Sequence, residues 1–327
     1  GGKLNSVGTN AVLGRGEWMV AEADESDGSF LYLSPIVAIV TNIDPEHLDH
    51  YGSVEALEEA FVAFINRVPF YGAGVLCIDH PRIQKLLPRV QKRFVTYGLS
   101  SQADFRAIDV RVRDGVSTFS VMRGDEFLGP VILRIPGRHN VLNALAAIAA
   151  AMEAEIPFAI CQRAFEQFEG VQRRFTVRGE IGGVTVVDDY AHHPAEIRAT
   201  LAAARENYQR RVVAVWQPHR FSRVELLRDD FMGAFNDADV VCVMDVYAAG
   251  EEPVPGVDAA ALARDLRHHG HKGALATPRA DDVQAALGAR VRKGDIVITL
   301  GAGDVTELSS SLLGVLIDVS PPTMELD

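Results

Sequence analysis

The sequence predicts an α/β protein in two parts: a central parallel sheet with an antiparallel appendage, then a second doubly wound α/β domain. Three observations predict it. Short apolar runs rich in β-branched residues alternate with segments of helical period in both halves of the chain. Between 104 and 135 the pattern changes to period two, broken at Asp114-Gly115 and Gly124-Asp125, which reads as three strands of a meander. The length of 327 residues also exceeds what one hydrophobic core serves, so two domains are expected, 1–169 and 170–327.

Residues 1–17 are rich in Gly and Asn and read as a loop. The opening GGKLNSVGTN has no initiator methionine and is expected to lie inside a longer protein. Trp18 to Ala21 and Ile36 to Thr41 are expected as the first two strands, both parallel members of one sheet. Ser53 suits an N-cap, and Val54, Leu57, Phe61, Phe64, Ile65 and Val68 recur at helical spacing, predicting a helix over 54–67. Val75 to Ile78 is the next strand, Pro81 opens a short helix to about Leu87, and Phe94 to Tyr97 is a further strand. After the meander, GRHNVLNALAAIAAAME gives an Ala-rich helix over roughly 140–152. Asn140 and Asn143 share a face of its first turn, and an N-cap role accounts for only one of them. FEGVQRRF closes the helical material, which places the boundary near Gly170.

Beyond it, VTVVDDYAHHPAEI, RVVAVWQPHR, DVVCVMDVYAAGE and DIVITLGAGD repeat a strand-to-loop pattern. Pro194 sits where the first position of a helix is expected, with Ile197, Leu201 and Ala204 turned inward. The expectation is a Rossmann-like parallel sheet of four to six strands.

Composition excludes several function classes. The net charge of −12 argues against nonspecific nucleic-acid binding, so any anionic substrate must meet a local basic cluster. The three cysteines lie far apart in apolar stretches, the usage of buried thiols in a reducing compartment, and a cytoplasmic location is expected. No apolar run approaches the roughly 18 residues of a membrane span, so neither a membrane nor a nucleic acid is an expected partner.

The chemistry gathers at strand ends. Glu22 closes the first apolar run, and His47 follows the second among Asp44, Glu46 and Asp49. At the carboxyl edge of a parallel sheet, a carboxylate and an imidazole suit a divalent cation that clamps nucleotide phosphates. In the second domain four more clusters fall at strand ends. They are Asp188, Asp189, Tyr190, His192 and His193; Gln217, His219, Arg220 and Arg223; Asp245, Tyr247 and Glu251; and Gly301, Gly303 and Asp304. One such cluster is ordinary loop polarity; four on one edge mean a site. Arg220 and Arg223 are the anion readers, since a guanidinium fork matches a carboxylate or phosphate. His192-His193 is a poor metal site without a third ligand, and GAGD lacks the third glycine of a dinucleotide fingerprint. Nowhere does GxxxxGK[ST] occur, so the phosphate cradle such a site needs is missing from this sequence.

WMVAEADESDGSF, TNIDPEHLDHYG, GRHNVLNALAA, RRF, DDYAHHPAEI, QPHRFSR, DVYAAGEEPVPG and TLGAGD resemble, in order and spacing, the Mur ligases of bacterial peptidoglycan synthesis, from the first residue to about 315. Within that family the chain is similar to the branch that joins L-alanine to UDP-N-acetylmuramate. The branch that recycles murein tripeptide usually carries an aromatic where Ser26 stands and lacks the QPHR segment.

The resemblance implies three domains, for UDP-sugar, ATP and amino acid, of which this chain holds most of the second and all of the third. By itself it is expected not to ligate. It also implies the cofactors ATP and Mg2+: ATP phosphorylates the muramoyl carboxylate, and the amine of L-alanine attacks the acyl phosphate. By the same resemblance Glu22 holds one magnesium ion and His47 a second, while His139, Asn140 and Asn143 meet the adenine side. Arg174 reaches the phosphates, and Asp189 holds the ribose or orients its loop. His193, His219, Arg220 and Arg223 bind the substrates. A carbamylated lysine between the metal ions, used by some relatives, has no counterpart, because no lysine lies between Lys3 and Lys85. Two other readings stand beside this one: a fragment that binds nucleotide or amino acid without chemistry, and a metal-dependent hydrolase. The second leaves the asparagine pair and the four strand-end clusters unexplained.

Overall fold

The computed structural model describes residues 2–315. The chain forms two compact units, Ser6–Glu169 and Gly170 onward, the second joined by Gly2–Asn5 from the start of the chain. Leu4 bridges Val171 in antiparallel fashion, and the Gln172 N–H donates to the Lys3 carbonyl at 2.9 Å.

The first unit runs β1 (Val37–Val40), α1 (Leu48–Tyr51), α2 (Val54–Ile65), β2 (Ala73–Cys77), α3 (Pro81–Leu86), β3 (Phe94–Gly98), β4 (Phe105–Arg113), β5 (Val116–Arg123), β6 (Glu126–Leu133), α4 (Arg138–Glu153) and α5 (Phe158–Glu166). Its sheet has the order β1-β2-β3-β4-β5-β6, parallel from β1 to β4 and antiparallel beyond. The pattern explains the switch. Every residue of β2 is buried, as in a strand covered on both faces, whereas β5 alternates buried and half-buried residues. Val141, Leu145 and Ile148 of α4 pack with Val75, Leu76, Phe105 and Val121 of the sheet in one core.

Three expectations are corrected here. Trp18 to Ala21 is no strand: Trp18, Met19 and Val20 are 48%, 88% and 94% exposed. An apolar run becomes a strand only against a neighbour's backbone, and this run has no ladder partner among the described residues. The Ser53 cap holds, its side chain accepting from the Ala56 N–H, but α2 stops at Ile65 rather than 67. Pro69 disfavours helical backbone at Val68. The N-cap of α4 is Gly137, at φ 111, and no asparagine caps it; Asn140 instead donates from Nδ2 to the Pro136 carbonyl at 2.7 Å.

The second unit runs β7 (Thr176–Ile181), β8 (Val184–Asp189), α6 (Pro194–Tyr208), β9 (Val212–Trp216), α7 (Phe221–Leu226), α8 (Arg228–Met232), β10 (Val240–Val243), α9 (Ala259–His268), β11 (Ala274–Ala276), α10 (Ala280–Arg290), β12 (Ile296–Leu300) and α11 (Val305–Val315). The sheet order is β11-β10-β9-β12-β8-β7, all parallel except β7. β7 and the three-residue β11 carry no strong apolar run, which is why the sequence pattern passes over them. β8, β9, β10 and β12 are buried throughout, so both faces are covered, one by Ile197, Leu201, Phe231 and Leu262 and the other by Val283, Leu287, Leu308 and Leu312. β12 returns between β8 and β9. That reversal opens a crevice at the carboxyl ends of these three strands, the place where such sheets bind ligands. Cys77, Cys161 and Cys242 are buried free thiols.

Candidate active site

In the first unit the polar cluster forms just past the end of β1. His47 sits in left-handed backbone at φ 56 as the residue before α1, a conformation that costs a non-glycine residue energy and recurs at functional positions. It turns the imidazole toward Glu25, with Nε2 at 3.5 Å from Oε1. Glu25, Glu46 and His47 each offer a ligand atom, and the three atoms lie within 4.8 Å of one another. The segment bearing Glu25 is fixed by the Tyr51 hydroxyl, which donates to the Glu25 carbonyl at 2.5 Å, and by the Ser26 N–H on Asp24 at 2.9 Å. The Ser26 N–H and hydroxyl hold the Asp24 carboxyl below its usual range. Beside the cluster lies a cavity of about 170 Å³ whose polar wall is Glu25, Thr41, Asn42, Asp44 and Glu46. Glu22 is exposed and is not a member of this three-residue group; Glu25 and Glu46 are. Sequence spacing favoured Glu22 because it closes an apolar run, and that run is not a strand.

Also in this unit, His139 and Asn140 fall on the first turn of α4 and Asn143 on the second, with Asn143 exposed and His139 half-buried.

In the second unit the strand-end clusters do converge. Asp189 ends β8, is 4% exposed, and accepts from two backbone N–H groups, Phe175 at 2.7 Å and Ala191 at 2.8 Å. Burial pushes its carboxyl up to about 6, against those two bonds and the Arg174 charge. Both oxygens are thereby engaged by the loops on either side. Asp188 is fully buried and accepts from Arg178 at 2.6 Å, Thr306 at 2.7 Å and Thr299 at 3.0 Å.

His193 is the N-cap of α6: its Nδ1 accepts from the Ala195 N–H, and Glu196 reaches back to the N–H groups of His192 and His193. The other oxygen of Glu196 takes the Arg174 guanidinium at 3.1 Å. Burial works to raise the Glu196 carboxyl, but His192, Arg174 and the His192 N–H outweigh it and hold it low. Arg174 lies over the Tyr190 ring at 5.7 Å, and Arg173 at 4.9 Å with a bond to the Gly301 carbonyl at 2.6 Å.

The next strand contributes His219, Arg220 and Arg223. Arg220 takes φ 65, and its N–H donates to the Tyr247 carbonyl at 2.9 Å. An Arg223 N–H reaches His219 Nδ1 at 3.4 Å. His192 meets the His219 ring edge-on at 5.7 Å, and Tyr247 stacks on it at 5.5 Å. Burial, then the charges of His192, Arg223 and Arg220, push His219 down to about 4. Gln217 links this strand to the GAGD loop, donating to Asp304 at 2.6 Å and accepting from the Val305 N–H at 3.1 Å. What results is a neutral imidazole beside two guanidinium groups at a sheet's carboxyl edge, a surface suited to an organic anion.

Residues 5–151 match the Mur ligase middle domain, and residues 173–303 match the Mur ligase, glutamate ligase domain. The chain therefore belongs to the Mur ligase family. A UDP-N-acetylmuramate–L-alanine ligase of Anaeromyxobacter sp. (strain Fw109-5) is 57% identical over 316 residues, covering 97% of this chain and 69% of that protein. The enzyme of the same name from Myxococcus xanthus (strain DK1622) is 54% identical, again over 97% of this chain and 67% of that one. Among solved structures, the UDP-N-acetylmuramate-alanine ligase of Thermotoga maritima superposes with a TM-score of 0.71 at 27% identity, over 89% of this chain and 62% of that one. A MurF ligase from the same organism in complex with ADP shares the fold, with a TM-score of 0.65 at 19% identity and 62% of its chain covered. This chain thus spans about two thirds of the length of its relatives.

Proposed function

We propose that this chain is the ATP-handling and amino-acid-binding part of a cytoplasmic ligase that joins L-alanine to UDP-N-acetylmuramate through an acyl phosphate. The observation that carries this reading is the 57% identity, over 97% of the chain, to a ligase of that name. Residues 1–169 are the ATPase part, and residues 170–327 the amino-acid part.

The site geometry supports a division of labour. Two carboxylates and an imidazole are the hard and borderline donors that hold Mg2+ while leaving positions for phosphate oxygens. In this reading Glu25, Glu46 and His47 hold one ion, and exposed Glu22 supplies a carboxylate to a second. A magnesium ion held by these residues would supply charge neutralisation for the transferring phosphoryl group. His139, Asn140 and Asn143 take the adenine side of ATP, and Arg174 serves as the cationic clamp on the phosphates. Asp189 acts indirectly, by fixing the loops that carry Arg174, His192 and His193. Arg220, Arg223, His219 and His193 receive the amino-acid carboxylate and place its amine.

The test joins this chain to the first third of the Anaeromyxobacter ligase and measures phosphate release from ATP with UDP-N-acetylmuramate present. Release that depends on L-alanine, and is absent from controls lacking any amino acid, is the expected result. Release that responds to an amino acid other than L-alanine with higher kcat/KM would overturn the substrate assignment.

A further inference from the structure

The family reading accounts for the histidine and the two arginines at the end of β9, but not for the aromatic ring laid on that histidine. The Tyr247 ring lies nearly parallel to the His219 imidazole, with 10° between the planes and 5.5 Å between centroids. The backbones of the two residues are locked as well. His219 and Tyr247 form a parallel bridge, the Tyr247 N–H donates to the Pro218 carbonyl at 2.8 Å, and the Tyr247 carbonyl accepts from Arg220 at 2.9 Å. The GAGD loop is cut to fit the ring: a Cβ on Gly303 would stand 2.7 Å from Tyr247 Cγ and Cδ2. Real Cβ atoms do not come so near, so Gly303 leaves the space that the ring occupies.

A second observation fixes the imidazole's hydrogen. Arg223 reaches His219 Nδ1 at 3.4 Å. A guanidinium has only donors, so Nδ1 accepts, and in the neutral ring the proton resides on Nε2. Nε2 has no hydrogen-bond partner among the described residues. We infer that Tyr247 is a positioning residue: its ring and Arg223 hold His219 as the Nε2–H tautomer, a hydrogen-bond donor for the carboxylate of the amino-acid substrate. This rests on the amino-acid-binding reading of the second unit given above.

The surroundings keep the ring neutral. His192 faces it from the loop after β8, Arg220 and Arg223 from the start and middle of α7, and Tyr247 and Glu251 from the loop after β10. Glu251 favours a cation, but it is engaged by Ser222 through hydroxyl and N–H bonds of 2.6 and 3.0 Å, and the guanidinium groups outweigh it. A neutral donor suits this place. A third cation beside Arg220 and Arg223 would repel both, whereas an N–H dipole adds direction to their charge.

The experiment is imidazole nitrogen NMR on the 327-residue chain with labelled histidine, read across pH and with added L-alanine, for wild type, Tyr247→Phe and Tyr247→Ala. Wild type is expected to show the Nε2–H tautomer, a midpoint near 4 and a shift of His219 on L-alanine addition. Tyr247→Phe keeps the ring and should keep all three. Tyr247→Ala lets water reach the imidazole, so the midpoint should rise by at least about one pH unit, the tautomers should mix, and L-alanine affinity should fall about tenfold or more. Gly303→Ala crowds the ring and, at 2.5 Å, Gln217 Oε1, without touching His219; it should move the same signals in the same direction, which keeps the test intact if Tyr247→Ala does not fold. If folded Tyr247→Ala and Gly303→Ala both retain the wild-type tautomer and midpoint, Tyr247 does not position His219. If wild type shows the locked tautomer but no response to L-alanine, the positioning stands and the amino-acid reading falls.

Discussion

Replacing Asp189 with Asn tests whether this carboxylate is a structural clamp. The side chain is 4% exposed and accepts from the Phe175 and Ala191 N–H groups at 2.7 and 2.8 Å. An asparagine has one acceptor oxygen, so one N–H meets an amide NH2 and is left buried without a partner, at about 1–3 kcal/mol. The charge acts in the other direction. Burial raises the folded carboxyl from 3.8 to about 6, so ionising it at neutral pH takes about 3 kcal/mol from folding that asparagine does not lose. The sign follows from the order of the two titrations. The unfolded carboxyl ionises first as pH rises, so this group favours folding below about 4, and that contribution disappears as pH climbs through about 6. Between pH 4.5 and 8 the wild type should therefore lose about 2 kcal/mol that Asp189→Asn keeps. The assay is urea unfolding followed by Trp216 fluorescence in a Trp18→Phe background, since these are the two tryptophans of the chain and Trp216 is buried in the second unit. The stability of Asp189→Asn relative to wild type should rise with pH, from below wild type or level with it to level or above. A difference that stays constant, or that moves against Asp189→Asn as pH rises, refutes the reasoning.

Three further outcomes are expected. His47→Ala and Glu25→Ala should each weaken Mn2+ binding to this chain about tenfold or more, read by water-proton relaxation enhancement, while Asp49→Ala, at a position outside the three-ligand group, should not. Ser53→Ala removes the acceptor for the Ala56 N–H and should lower the stability of the first unit by about 1 kcal/mol in urea titration. In the chimera with the relative's first third, Arg174→Lys should lower kcat far more than it raises KM for L-alanine. Lysine can keep the ion pair with Glu196 but loses the planar fork and its place over Tyr190; unchanged kcat with a reduced melting temperature would leave Arg174 a purely structural role.

The sequence by itself determined most of the architecture, because burial on both faces imposes a pattern that composition alone displays. The apolar runs at 73–77 (two residues earlier at its start than the pattern suggests), 184–187, 212–216 and 296–300 lie in strands because nothing else hides such residues, and Pro194 opens α6 for the same local reasons that predict it. The sequence also carried the family, whose motifs are contiguous and need no folding to be seen. Tertiary structure decided what depends on neighbours. Trp18 to Ala21 has strand composition but no adjacent backbone, while β7 and β11 have weak composition and are strands because β8 and β10 lie beside them. The acid that stands by His47 is Glu25, three residues beyond the one favoured by spacing, because the turn held by Tyr51 brings it there. Asp189 and Tyr247 gain their parts in the same way. A buried carboxylate between two N–H groups, or a ring stacked on an imidazole, is a relation between segments far apart in sequence, and only folding brings them within hydrogen-bond or van der Waals distance.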